Sequence, residues 1–325
     1  MQTSHRLSRR DFIQASAGLA VTTGFLGSGA LGHGAQKPAR WAVACRDAHL
    51  KATGKPDSWS ALKELGATGV EVVVNEELAC VGLYHPQKKY SVATGEGISA
   101  LKADLEANGL MLTAFCMNNR LDTQLEREIA WAKQLVAAAQ KMDVRAIRID
   151  VVPHVIKGEE FLPFAIKACR QLCDLAEGTS VRYGIENHGN VTNKPEFLEK
   201  LFDAVGSSHL GLTLDAMNFY WFGHPLKDLY GLCEKFAPRA YHTHCKSARY
   251  PADRRNTRRP MGWEYEKYAA PIYAGDIDYK RVATILRQAG YRGDLCLENE
   301  CLAQFPAAER PDVLRKEIAM LKGLT

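Results

Sequence analysis

Residues 211–215 read Gly211-Leu212-Thr213-Leu214-Asp215, a strand-like run in which polar and apolar side chains alternate. A period of two places Leu212 and Leu214 on one face and Thr213 and Asp215 on the other. The same parity recurs twice: Arg148 and Asp150 alternate with Ile147 and Ile149, and His242 and His244 alternate with Tyr241. In a barrel strand one parity meets the surrounding helices and the other the axis, so the polar set points inward.

Working outward from this run, the chain after about residue 40 alternates short β-like runs with helix-like runs. The strand candidates are residues 41–45, 69–74, 111–115, 146–151, 182–186, 211–215, 240–244 and 293–298. Between them apolar residues recur with a helical period. In residues 123–142, Leu125, Ile129, Ala132, Leu135, Ala139 and Met142 form one stripe, and Thr123 and Glu126 are spaced as a capping box. In residues 278–289, Val282, Ile285, Leu286 and Ala289 share a face and Gly290 supplies the stop. Strands alternating with helices imply parallel pairing through right-handed crossovers. Eight such units in roughly 290 residues fit a single α/β domain, a (β/α)8 TIM barrel, expected over residues 36–325. A doubly wound sheet would want a Gly-rich first turn, and there is no G-x-G-x-x-G or Walker motif.

Residues 1–35 read differently. Ser8-Arg9-Arg10-Asp11-Phe12-Ile13-Gln14 precedes a weakly apolar, small-residue stretch and Ser28-Gly29-Ala30. This is the pattern of a twin-arginine export signal with a short linker, cut after Ala30 or near Ala35. The twin-arginine export machinery is then an expected partner and the location periplasmic or otherwise exported. No later run approaches the ~20 apolar residues of a membrane span, so none is expected in the mature chain. The formal net charge is +5, of which Arg6, Arg9, Arg10 and Asp11 contribute +2. The remainder is too small to argue for a nucleic-acid partner. Nine cysteines are an odd and scattered set without C-x-x-C. Cys45, Cys116, Cys245 and Cys296 fall in strand runs and Cys169 and Cys173 on one helical face, so they read as small core residues, not as a disulfide framework or zinc ribbon.

Four acidic or imidazole residues end the last four strands: Glu186, Asp215, His244 and Glu298. Consecutive strands are neighbours in a barrel, so the four converge at one height at the mouth, where barrel enzymes do chemistry. Three carboxylates crowded in a partly dry pocket repel one another, and one divalent cation holds them ionised. An oxygen-rich set with one imidazole suits Mn²⁺, Mg²⁺ or Co²⁺, and Zn²⁺ is accommodated.

At these residues the chain resembles the sugar phosphate isomerase/epimerase group of xylose isomerase-like barrels. The resemblance covers about residues 40–323 and rests on Ile185-Glu186-Asn187-His188-Gly189, Gly211-Leu212-Thr213-Leu214-Asp215, His244-Cys245-Lys246 and Gly275-Asp276-Ile277-Asp278-Tyr279, continuing through Gly290-Tyr291 to Leu297-Glu298. It implies that Glu186, Asp215, His244 and Glu298 bind the metal and that Glu186 and Glu298 also form the acid/base pair. The metal histidine of that group stands two residues before a lysine, which selects His244 over His242. Ser247 departs from the pattern, since many relatives have an acid there.

The same roles make chemical sense. A metal chelated by a carbonyl and its neighbouring hydroxyl acidifies the C–H between them and stabilises the enediolate left when a carboxylate removes that proton. Return of the proton to the other face is epimerisation, and to the neighbouring carbon isomerisation. The leading expectation is an isomerase or epimerase of a non-phosphorylated sugar or keto-sugar. A lyase or dehydratase expelling a β-leaving group from a keto-sugar or keto-glycoside is the alternative, and a non-catalytic sugar-binding barrel a third. Endonuclease IV-like chemistry needs more strand-end histidines than His154, His188 and His242 provide. Lys246 is a further catalytic candidate. His188, His242, Arg148, Glu71 and Asn118, on inward parities or just past strand ends, are candidate substrate-binding residues for a small carbohydrate. Residues 247–274, with Arg254, Arg255, Arg258 and Arg259 beside Trp263 and Tyr265, read as a lid with aromatic stacking, as a solvated charged surface, or as a homo-oligomer contact.

Overall fold

The computed structural model describes residues 41–325, so the export segment expected at residues 1–35 lies outside the described residues. Eight strands, β1 (Ala42–Arg46), β2 (Gly69–Val73), β3 (Met111–Cys116), β4 (Ala146–Ile149), β5 (Arg182–Glu186), β6 (Leu210–Asp215), β7 (Ala240–Cys245) and β8 (Asp294–Leu297), form a closed barrel. They follow one another in chain order, β8 returns to β1, and every neighbouring pair is parallel. Each expected strand is present, with ends shifted by at most two residues. Helices α1 (Ser58–Leu65), α2 (Gly95–Ala107), α3 (Leu125–Lys141), α4 (Phe161–Ala176), α5 (Pro195–Val205), α6 (Leu226–Phe236), α7 (Tyr279–Gln288) and α8 (Arg310–Lys322) surround it. The single (β/α)8 TIM barrel is thereby established.

Hydrophobic burial sorts the two strand faces. Ile147, Ile149, Leu212, Leu214, Leu295 and Leu297 are buried together with helix residues such as Leu135, Leu172, Leu198, Leu201 and Leu286. Each such side chain stabilises the fold by about 1.5–3 kcal/mol. The opposite parity carries Glu71, Arg148, Thr213, Asp215, His242 and His244, also buried. Those polar groups line the axis, where only partners of the same kind can satisfy them.

Two helix starts differ in how well the sequence announced them. Asp278 caps α7 through Lys280 N and Arg281 N, and Gly290 follows with φ +73°. The capping box expected of Thr123 and Glu126 does not form. Gln124 is the α3 N-cap without a side-chain bond, and Thr123 Oγ1 donates to Arg120 O instead. Glu128 draws the preceding turn back by accepting from Arg120 N. A bond from the first turns of the helix to the turn before it thus stands where the capping box was expected.

Strand ends are braced beyond the sheet by asparagines. Asn187 accepts from Asp215 N at 2.9 Å and donates to Asp215 O at 2.8 Å. Asn119 accepts from Asp150 N at 2.8 Å and donates to Asp150 O at 2.7 Å. In both cases a side-chain amide completes a two-bond pairing that a strand backbone would otherwise make. Close approach also explains Gly211, where a Cβ would lie 2.1 Å from Arg239 O and 2.6 Å from the Tyr241 ring.

The long segment after β7 is an ordered wall. A two-stranded antiparallel ribbon, Ser247–Ala248 with Ala269–Ala270, closes its base. Arg259 is buried between Tyr220 and Tyr250, 4.3 Å from each ring, and Arg255 pairs with Asp276. Trp263 stacks on Tyr268. So Arg259 is structural, while Arg254 and Arg258 are exposed as a solvated charged surface would have them. All nine cysteines are free and buried. No helix among the described residues is long and apolar enough to cross a membrane.

Candidate metal centre

The inward faces of β5, β6 and β7, with the residue just past β8, bring Glu186, Asp215, His244 and Glu298 together. One ligand atom from each lies within 4.8 Å of all the others, and all four residues are buried. His244 Nδ1 stands 3.3 Å from Glu186 Oε1 and 3.2 Å from Glu298 Oε2. Neither His244 Nδ1 nor Asp215 Oδ2 has a hydrogen-bond partner, although Lys246 Nζ is 3.1 Å from the latter. Buried polar atoms left unpaired and aimed at one another carry a large desolvation cost unless something joins them. A divalent cation would do so, and three carboxylates with one imidazole suit it chemically.

Each flanking glutamate is held by its own arginine. Arg148 grips Glu186 Oε2 through Nε at 2.7 Å and through Nη2, while Nη1 reaches Asp150 Oδ2 at 2.5 Å. Arg46, the last residue of β1, pairs with Glu298 Oε1 and lies 3.2 Å from Glu71 Oε1. Asn218 donates to Glu186 Oε1 at 2.8 Å. Burial opposes ionisation of Glu186, but Arg148 and His244 outweigh it and hold the carboxyl well below the usual range. For Glu298 the same opposition is overcome by His244, Lys246 and Arg46. Asp215 has no arginine, and burial pushes it up to about 7.

Lys246 Nζ lies 2.6 Å from Glu298 Oε2 and 2.9 Å from Glu300 Oε1. Burial favours the neutral amine, yet Asp215, Glu298 and Glu300 hold the lysine charged. Tyr265, from the wall, donates to Glu300 Oε2 at 2.6 Å and so ties that segment to the centre.

Of the residues expected to meet a substrate, three lie buried and bonded to other side chains. Glu71 and His242 are fully buried, one layer below the mouth. Glu71 Oε2 lies 2.6 Å from His244 Nε2 and 2.7 Å from His242 Nε2, and His242 Nδ1 lies 2.6 Å from Asp294 Oδ1. Both therefore stand behind His244 in this structure, and a carboxylate on Nε2–H leaves its Nδ1 free to face an ion. Arg148 is likewise buried and committed to Glu186 and Asp150. His188 and Asn118 do reach the surface of the mouth. His188 Nδ1 is 3.3 Å from Asp150 Oδ1, and a hydrogen bond to that carboxylate raises the imidazole pKa. Asn118 is exposed, with Oδ1 3.7 Å from Cys116 Sγ. Arg46, Glu300 and Asn218 escaped the sequence reading. Arg46 was one residue beyond the strand as delimited, and Glu300 stood in plain view in Glu298-Asn299-Glu300.

These shifts set a pH dependence for chelator-treated protein. Burial opposes the charge of His242, but Asp294 and Glu71 outweigh it and hold its pKa at about 9. That contribution to stability is complete below the unfolded value near ~6.5 and is lost as pH rises through about 9. Asp215, raised to about 7, acts in the same direction. The depressed glutamates have already contributed fully above ~4.3. The melting temperature should therefore fall between pH 6 and pH 9.5, and a flat or rising profile by calorimetry would contradict the assignment.

The model of the xylose isomerase-like TIM barrel family matches residues 59–324. No curated protein matches the sequence significantly. Among solved structures, 3-keto-D-glucoside 4-epimerase YcjR from E. coli is similar at 13% identity, with 86% of this chain and 100% of that one covered and a TM-score of 0.60. D-psicose 3-epimerase with D-tagatose from Clostridium cellulolyticum H10 is similar at 14% identity, coverages of 87% and 99%, and a TM-score of 0.61. A xylose isomerase-like TIM barrel protein from Mycobacterium smegmatis in complex with magnesium gives 14% identity, coverages of 87% and 97%, and a TM-score of 0.61. At these identities the structural likeness speaks for the fold, and the family model covers most of the sequence: the chain belongs to the xylose isomerase-like TIM barrel family.

Proposed function

We propose that this protein is a divalent-metal-dependent isomerase or epimerase of a non-phosphorylated sugar or keto-sugar, acting after export. The observation that carries the reading is the pair Glu186 and Glu298 flanking His244 Nδ1, each held ionised by a separate arginine. When bound by Glu186, Asp215, His244 and Glu298, a divalent ion would polarise a substrate carbonyl and its neighbouring hydroxyl. Glu186 and Glu298, ionised at neutral pH, are ready to take a proton from the carbon between those oxygens and return it. Lys246 stays an ammonium and so stabilises developing negative charge without serving as base. Two structurally similar proteins are named as epimerases of a keto-glucoside and of a ketose, which agrees with this chemistry. The three cations of the centre, Arg46, Arg148 and Lys246, are all committed to carboxylates, which disfavours a phosphorylated substrate.

Elimination from a keto-glycoside shares the first proton abstraction and then needs an acid at the leaving group. His188, at the mouth with a pKa raised by Asp150, is placed to supply one. Incubation of the metal-loaded protein with free and 3-keto sugars in D₂O separates these readings. Deuterium beside the carbonyl with a rearranged sugar supports the isomerase or epimerase, an unsaturated product supports the lyase, and neither outcome defeats both.

Export is tested separately. Arg9→Lys combined with Arg10→Lys should leave a folded protein retained in the cytoplasm, because the receptor reads the guanidinium pair. Normal delivery of that variant to the periplasm, by fractionation, would overturn the proposal.

A further inference from the structure

The 3-10 turn after β1, Asp47–Thr53, carries His49 to the mouth of the barrel beside the end of β8. Asn299 N donates to His49 Nε2 at 3.1 Å. An accepting Nε2 places the ring proton on Nδ1. His49 is half-buried, and among the described residues its Nδ1 has no hydrogen-bond partner and is not sealed within the protein. The charged groups acting most strongly on the ring are Glu298 and Arg46, with Glu71 beneath them and Glu300 beyond, all part of the metal centre or its support. Burial outweighs those carboxylates and lowers His49 to about 4, so the ring is neutral at neutral pH.

We propose that His49 is a substrate-binding residue whose Nδ1–H donates to an uncharged oxygen, a sugar hydroxyl or carbonyl, next to Glu298. A neutral donor pinned from behind discriminates by geometry, not by charge. A phosphate or carboxylate at that spot would meet Glu298 and Glu300 and be repelled, whereas a hydroxyl can donate onward to either. The inference rests on the carbohydrate reading above and assigns one of its contacts.

Two substitutions split the ring's two nitrogens. In His49→Gln the amide oxygen can still accept from Asn299 N, but the Nδ1 donor is gone. In His49→Asn the amide supplies a donor near Nδ1 but cannot reach Asn299. With the metal-loaded full chain and the keto-sugar panel in D₂O, His49→Gln should raise KM for exchange about three- to tenfold, the range of one neutral hydrogen bond. KM should change more than kcat, metal content and melting temperature should match wild type, and His49→Asn should recover part of the loss. An unchanged KM, or a loss that tracks metal content, overturns the assignment. Should wild type exchange no sugar, the isomerase reading fails, and His49 is then judged by ¹⁵N NMR with xylitol as an unreactive probe. A neutral Nδ1–H tautomer whose signal shifts with xylitol in wild type supports the contact; an Nε2–H tautomer, or no shift, refutes it.

Discussion

Replacing Glu186 or Glu298 by glutamine should reduce turnover by ~10²–10⁴-fold, the usual worth of a positioned acid or base. The structure refines how each variant fails. Arg148 donates twice to Glu186 Oε2, so a glutamine there will turn its carbonyl toward Arg148 and its amide nitrogen toward Asn218 and His244. That leaves an N–H₂ facing the metal side, and the loss includes weaker metal binding. Assays at saturating Mn²⁺ are needed to expose the proton-transfer defect. Glu298→Gln faces the same choice between Arg46 and Lys246. Both variants should lose deuterium exchange beside the carbonyl, while one of them retaining exchange without turnover would mark the other glutamate as the group that reprotonates. Lys246→Met should slow the reaction without abolishing exchange. Wild-type exchange in both glutamine variants, together with silence in Lys246→Met, would falsify the glutamate assignment and make Lys246 the base.

Metal removal should have the second large effect. Chelation is expected to abolish exchange and reconstitution to restore it, with about one divalent ion per chain by elemental analysis. Acid should release the ion, since protons compete for His244 and the carboxylates. Asp215→Ala should hold no ion. It also removes the acceptor for Asn218 N at the start of the short helix Ala216–Trp221, a cap worth about 1 kcal/mol. Asp215→Asn is the sharper variant, because it can keep the cap while removing the charge. Full occupancy in either variant would rule out this four-residue site.

Strand order and the four convergent residues were legible because both depend on periodicity and on the neighbour relation of a closed barrel. Thr213 and Asp215 against Leu212 and Leu214 suffices to orient β6, and the other strands follow by the same parity. What stayed illegible was depth along the axis. His242 and His244 share a face, yet one residue pair of rise separates a group at the ligand set from one sealed beneath it. Parity does not distinguish Glu71 as a support from Glu71 as a contact. Tertiary pairing was equally hidden: Arg46 reaches Glu298 across 252 positions of sequence, and His49 meets Asn299 across 250. Nor could spacing foresee that Gln124, not Thr123, would start α3, because the deciding bond comes from Glu128 to the turn before it.

The asparagine braces have a consequence for altering this protein. Asn187 fixes the backbone of Asp215, and Asn119 that of Asp150, through main-chain atoms alone. The backbone of those strand tips is therefore held by bonds that do not depend on the side chains they present, although Asp215 also caps the next helix and Asp150 also holds Arg148. A library that varies residues 150 and 215 while keeping Asn119 and Asn187 should sample new chemistries on strand tips whose backbone stays in place, at the cost of one helix cap and one arginine contact. One that varies the asparagines should sample misalignment instead. The barrel separates its chassis from its tools at the level of single residues, and directed evolution can exploit that seam.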